Sequence, residues 1–217
     1  SFITHVKHHL RETLQPYLNS YQMSLQTGDW EYMTMSSLLY CVHSYYSGQP
    51  LDFLAQELEK YEAVIVKTRN VTYANYIKIY HQTVTKLMEP GTDPTNLSGD
   101  IYDENAQLPI HNQANDQTAL FNVHSNKMIL CYLLDRHQEA VENADITRKY
   151  LVGVQGMYPG FAAIFYDSLS RLAVFEESNG YQKWRILRLI SRNQKALKKR
   201  ARHAPMVRST RSVLAGF

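Results

Sequence analysis

Apolar positions along this chain recur with the spacing of helix faces. Met35, Leu38, Leu39, Val42 and Tyr46 fall at offsets of 3, 4, 7 and 11 residues, which brings them to one side of an α-helix. Leu54, Leu58, Tyr61 and Ile65 repeat offsets of 4, 7 and 11, with Asp52, Glu57, Glu59, Lys60 and Glu62 mostly elsewhere around the wheel. Tyr73, Tyr76, Ile77, Tyr80, Val84 and Leu87 make a third stripe. Each stripe predicts one face buried against a neighbouring helix. Residues 117–134 and 160–175 are apolar on most sides, as expected of inner helices. Between them, 137–151 places Ala140, Ala144, Thr147 and Leu151 on one side. No strand-like alternation of any length occurs, so the pattern predicts an all-α fold.

Turn residues separate the stripes. Gly28 tolerates a left-handed helix exit, and Asp29 can accept from the free amides of the next helix. Ser47-Gly48-Gln49-Pro50 does the same between the second and third candidates, and Asn115-Asp116 is a cap for the helix after it. Pro16 predicts a kink or restart within the first. Asp135-Arg136-His137 reads as a tight turn, after which the small Ala140 and Ala144 let two helices approach closely. This is the logic of the tetratricopeptide repeat, whose period is about 34 residues. The expected architecture is a tetratricopeptide-like stack of antiparallel helix hairpins, seven to nine helices in a right-handed superhelix. Residues 1–206 form one helical repeat domain in this reading. It carries a flexible loop near 89–100, EPGTDPTNLSGD, and residues 207–217 form a C-terminal tail of a composition open to disorder.

Composition adds limits. Hydrophobic residues make up 44% and charged residues 20% of the 217, as in ordinary folded domains. The 16 tyrosines suit amphipathic ring packing between helices. No run of about 18 apolar residues suggests a membrane span. The chain opens on SFITHVKHHL with neither Met nor a leader, which points to a piece of a larger cytoplasmic protein. Cys41 and Cys131 are expected as free, buried thiols.

The motifs that place nucleotides or metals are missing. No Gly is followed by Lys, so there is no phosphate loop, and HRD, DFG, GxSxG, HExxH and CxxC are all absent. No cofactor, metal or catalytic residue is therefore expected. His5 and His9 share a helical face but have no third ligand in sequence. Asp103 and Glu104 are adjacent, and adjacent carboxylates do not face each other on a helix, so capping is the better reading. His137 is a turn residue.

Charge is unevenly placed. No acidic residue follows Glu177, whereas eleven basic ones run from Lys183 to Arg211; the preceding part carries twelve basic and twenty acidic residues. Arg185, Arg188, Arg192, Lys195, Lys199 and Arg202 fall within an arc of about 100°, opposite Ile186, Ile190, Leu197 and Ala201. This basic stripe has three readings: a solvated face docked on acidic neighbours, a contact for an acidic partner domain or anionic surface, and a nucleic-acid contact. The third is disfavoured because the stripe shows no interleaved aromatic residues and the pI is only 8.7.

Four segments carry a resemblance: residues 113–121 (QANDQTALF), 126–133 (NKMILCYL), 165–169 (FYDSL) and 203–206 (HAPM). They are similar to one region of large multidomain signalling proteins, common in cyanobacteria, that join a serine/threonine kinase, a STAND-type ATPase, a helical region, a GAF domain and often a histidine kinase. The similarity spans roughly residues 10–206 and ends before VRSTRSVLAGF. It implies a tetratricopeptide-like region following the ATPase, non-catalytic, that transmits signals through protein contacts within the chain or with a signalling partner. The alternatives are a helical receptor with tyrosine-lined ligand pockets and, third, a nucleic-acid-binding protein using Arg185 to Arg202.

Overall fold

A computed structural model describes residues 10–89, 91, 93 and 95–201, with backbone alone for the last two. A short 3-10 turn, Leu10–Thr13, leads into α1 (Leu14–Thr27), α2 (Trp30–Tyr46), α3 (Leu51–Lys67), α4 (Val71–Met88), α5 (Glu104–Gln113), α6 (Gln117–Leu133) and α7 (His137–Lys149). A second 3-10 turn, Leu151–Val154, precedes α8 (Tyr158–Ala173) and α9 (Gly180–Ala201). The described residues thus form nine α-helices and no strand beyond one isolated bridge between Ser98 and Asp103. The chain is an all-α stack of helix hairpins.

The helix boundaries follow from local chemistry. Gly28 has φ +70°, and Asp29 accepts from the amide of Tyr32 at 3.1 Å. The same device recurs: Arg69 at φ 59° precedes Asn70, which accepts from Tyr73, and Asn115 at φ 51° precedes Asp116, which accepts from Ala119. Each pair turns the chain sharply and then satisfies an orphan amide of the new helix. Pro16 lies in the first turn of α1, just after the 3-10 segment, where its missing N–H costs least.

Helices α2, α4, α6 and α8 form an inner row, with α1, α3, α7 and α9 packed outside it. Their starts at residues 30, 71, 117 and 158 are 41, 46 and 41 apart. The spacing differs from the tetratricopeptide period of about 34 because the inner helices run to 16–18 residues and the second unit adds the connector 89–103 before α5. The inner helices run parallel, and each is displaced along the axis from the one before. Tyr46, the last residue of α2, packs against Tyr80 in mid-α4 with ring centroids 6.3 Å apart. Tyr80 donates to Asn122 near the start of α6 at 3.2 Å. Tyr158, the first residue of α8, returns to Tyr46 at 5.3 Å. The row therefore completes one turn, and its fourth member meets its first.

Burial follows the stripes. Leu54, Leu58, Tyr61 and Ile65 are all buried, as are Ile77, Tyr80 and Val84. Ala140 and Ala144 are fully buried where α7 lies tightly on α6, each small side chain admitting close backbone approach. The connector between α4 and α6 is more than surface chain. Leu97 is fully buried, its amide bonds Glu104 at 3.0 Å, and Glu104 is paired with Lys127 of α6. Asp93 is held by Arg136 at 2.9 Å.

Candidate functional site

The basic stripe lies on α9. Ile186, Ile190, Asn193 and Leu197 face inward and lay the helix along α8. Asn193 pins it there: its amide donates to Asp167 at 2.6 Å and to Ser168 at 2.9 Å, while Arg148 of α7 donates to its oxygen at 3.1 Å. Arg185, Arg188, Arg192, Lys195 and Lys199 are consequently exposed. None of the five is ion-paired with a described residue, whereas Lys183 lies 3.4 Å from Glu176. Arg202 lies outside the described residues. Among the described residues, no carboxylate compensates these five cations.

Aromatic residues interleave with this charge, contrary to the sequence expectation. Tyr181 and Trp184 are 67% and 53% exposed and stack at 6.3 Å. Arg188 sits 5.3 Å above the Trp184 ring and Arg185 5.9 Å from that of Tyr181, cation–π distances that hold both rings against the arginines. Leu187, 54% exposed, extends the apolar side. The signal is present in the sequence, since Tyr181 shares the wheel position of Arg192 and Lys199 and lies one turn ahead of Arg185.

A second feature fills the axis of the inner row. Two cavities, about 530 and 320 Å³, lie to either side of the level where Tyr46, Tyr80 and Tyr158 meet. The larger is lined by Met35, Leu38, Tyr73, Tyr76, Asn122 and Met157 among others, near the starts of α4 and α6. The smaller is walled by six rings, Tyr45, Tyr46, Tyr158, Phe161, Phe165 and Tyr166. The Tyr46 hydroxyl is shielded from solvent, with the Tyr80 hydroxyl beside it. Burial, together with neighbouring phenols, pushes its pKa well above the ordinary tyrosine value; burial likewise raises Tyr158 to about 12. Both remain neutral donors.

The remaining candidates resolve into structural roles. Asp103 caps α5, accepting from Asn105 at 3.0 Å and from Ser98 at 2.8 Å, and Glu104 turns inward to Lys127. His137 begins α7 beside Tyr132. Cys41 and Cys131 are free, buried thiols, with burial raising both above the usual range. Among the described residues no three His, Cys, Asp or Glu side chains are grouped to hold a metal, and no helix is long and apolar enough to cross a membrane. His5 and His9 lie outside the described residues.

No protein-family model, curated protein or solved structure matches the chain.

Proposed function

We propose that this chain is a non-catalytic protein-interaction and signal-transmission region of a larger cytoplasmic signalling protein of the kinase and ATPase type. One observation carries the reading: α9 presents five exposed cations without an ion-pair partner among the described residues, flanked by exposed Tyr181, Trp184 and Leu187. Unpaired charge beside exposed rings suits an acidic protein surface, because arginine and aromatic residues supply most hot spots in such contacts. The resemblance to the helical region after a STAND-type ATPase supports the same role.

Two measurements test it. An antibody to the helical region, used on a denaturing gel of native material, should label a polypeptide far larger than 25.2 kDa; a band at that mass removes the multidomain parent. Poly-L-glutamate should bind the chain at low salt and lose binding when Arg185, Arg188 and Arg192 are changed to Glu. Unchanged binding by that triple variant would remove α9 as the contact.

A second reading draws on the Tyr181–Trp184 stack, since paired rings beside arginines also serve as platforms for unpaired bases. Single-stranded DNA held tightly at physiological salt, with affinity falling steeply as salt rises, would favour it over the protein contact.

A further inference from the structure

The larger axial cavity is electrically one-sided. Glu31 is its charged lining residue, and no Lys, Arg or His lines it among the described residues. Glu31 lies in the first turn of α2, is exposed, and has no ion-pair partner among the described residues. Its carboxylate thus stands free where the cavity meets solvent. A second carboxylate lies behind the wall: Asp116 accepts from the Tyr76 hydroxyl at 2.8 Å. The His111 ring 3.9 Å from Asp116 does not offset that charge, because burial lowers its pKa and keeps it neutral at pH 7. The cavity also borders the starts of α2, α4 and α6, whose dipoles favour anions. Asp29, Asn70 and Asp116 already cap those helices, so that demand is met within the chain.

We propose that this cavity binds an organic cation, an ammonium group bearing apolar substituents, with its charge held between the Tyr73 and Tyr76 rings and the Glu31 carboxylate. The two half-buried rings stand 6.1 Å apart at 63° and make a corner of the lining. Aromatic rings attract alkylated ammonium groups through their quadrupoles. Tyr76 is the stronger of the two, since a phenol that donates to a carboxylate gains electron density in its ring. Leu38, Val42 and the pliant Met35 and Met157 line the rest and suit apolar substituents. The volume of about 530 Å³ lies within the range of ligand sites, about 300 to 1,000 Å³, so a benzene ring and a trimethylammonium head fit together. A metal ion does not suit the site, because one carboxylate cannot replace the six or so oxygen ligands that a hard cation needs. An anion would face Glu31 with no lining cation to replace its hydration.

This site stands apart from α9 and does not depend on the protein-contact reading. Its test uses the full chain and three probes of one shape that differ in charge: benzyltrimethylammonium, its carbon isostere neopentylbenzene, and phenylmethanesulfonate. Each is titrated by ligand-observed NMR at about 0.15 M salt, where attraction to distant surface charge is screened. The cation should bind tightest, with the hydrocarbon about tenfold weaker, as cation–π and charge attraction together imply, and the sulfonate weaker still. Glu31→Gln, at an exposed position, should weaken the cation about fivefold and leave the hydrocarbon unchanged. Tyr73→Leu should also weaken the cation, and by more than it weakens the hydrocarbon. Met35→Trp, which fills the lining, should abolish binding of the cation and the hydrocarbon, with circular dichroism reporting that the helices persist in every variant. Hydrocarbon or sulfonate binding as tightly as the cation, a cation affinity unchanged by Glu31→Gln or by Tyr73→Leu, or no binding of the cation by the unmodified chain overturns the proposal. So does cation binding that survives in folded Met35→Trp.

Discussion

Arg171 donates to Asp167 one turn before it on α8, Nε to Oδ1 at 2.9 Å, and both side chains are more than nine-tenths buried. The pair is the centre of a larger cluster. Asp167 also receives Arg148 from α7 and Asn193 from α9, and Arg171 reaches Asp145 of α7. Three helices are thus tied through one carboxylate. Asp167→Ala leaves Arg171 buried without its main counter-charge and removes the acceptor from Arg148 and Asn193. The expected loss is about 3–5 kcal/mol, read from urea midpoints. A loss below about 1 kcal/mol would mean that the cluster is solvated and structurally idle.

The connector between α4 and α6 depends on Glu104. Its carboxylate takes the Leu97 amide and Lys127 together. Glu104→Ala should cost about 3 kcal/mol, since Lys127 is left largely buried and unpaired. Amide hydrogen exchange should locate the effect: Leu97 loses protection first, well ahead of the amides of α3.

Gly153 allows the second 3-10 turn to lie directly on the start of α6. A Cβ there would meet the Gln117 carbonyl carbon at 2.7 Å and the Thr118 amide nitrogen at 2.8 Å, both backbone atoms that cannot swing away. Its own carbonyl accepts from the Thr118 hydroxyl at 2.9 Å. Gly153→Ala is expected to destabilise by about 1–3 kcal/mol, the range of overpacked sites. Gly156→Ala makes a useful comparison, because a Cβ there meets nothing within 4 Å and any cost comes from its φ of +83°.

Acid should weaken the fold through two histidines. Burial depresses the pKa of His111 below its ordinary 6.5, against an opposing pull from Asp116, and burial likewise depresses His124 despite its bond to Asn143. The unfolded chain then takes up protons at a higher pH than the folded one. Stability is full above pH 6.5 and falls as pH drops below it, until the folded-state pKa values are reached. Unfolding midpoints between pH 7 and 5 should fall less steeply in a His111→Gln, His124→Gln variant. Parallel slopes would assign the acid sensitivity to other groups.

How much of this was legible in the sequence varies by element. The stripe of α3 matches its buried face residue for residue, because a helix with one solvent side writes its burial as a period. The caps at Asp29 and Asp116 were readable for a similar reason, being local chemistry. Helix α5 was not. Its sequence ENAQLPIHNQ carries few apolar residues and Pro109 inside it, so neither periodicity nor propensity marks it, and tertiary contacts hold it in place. Tyrosine-lined pockets between helices were legible from the tyrosine stripes, but their place was not, since α2 and α8 are far apart in sequence and meet only through the turn of the inner row. The aromatic side of α9 was within reach, since Tyr181 and Trp184 lie one turn ahead of Arg185 and Arg188, just before the span over which the stripe runs.

The return of Tyr158 onto Tyr46 has a mechanical consequence. In an open solenoid each unit leans only on the next, so the array can unravel from an end or stretch like a spring. Here the fourth inner helix clasps the first, so pulling the ends apart must first part those two rings. The coil thus carries a cross-tie that an open array lacks, and separating its ends costs that contact as well.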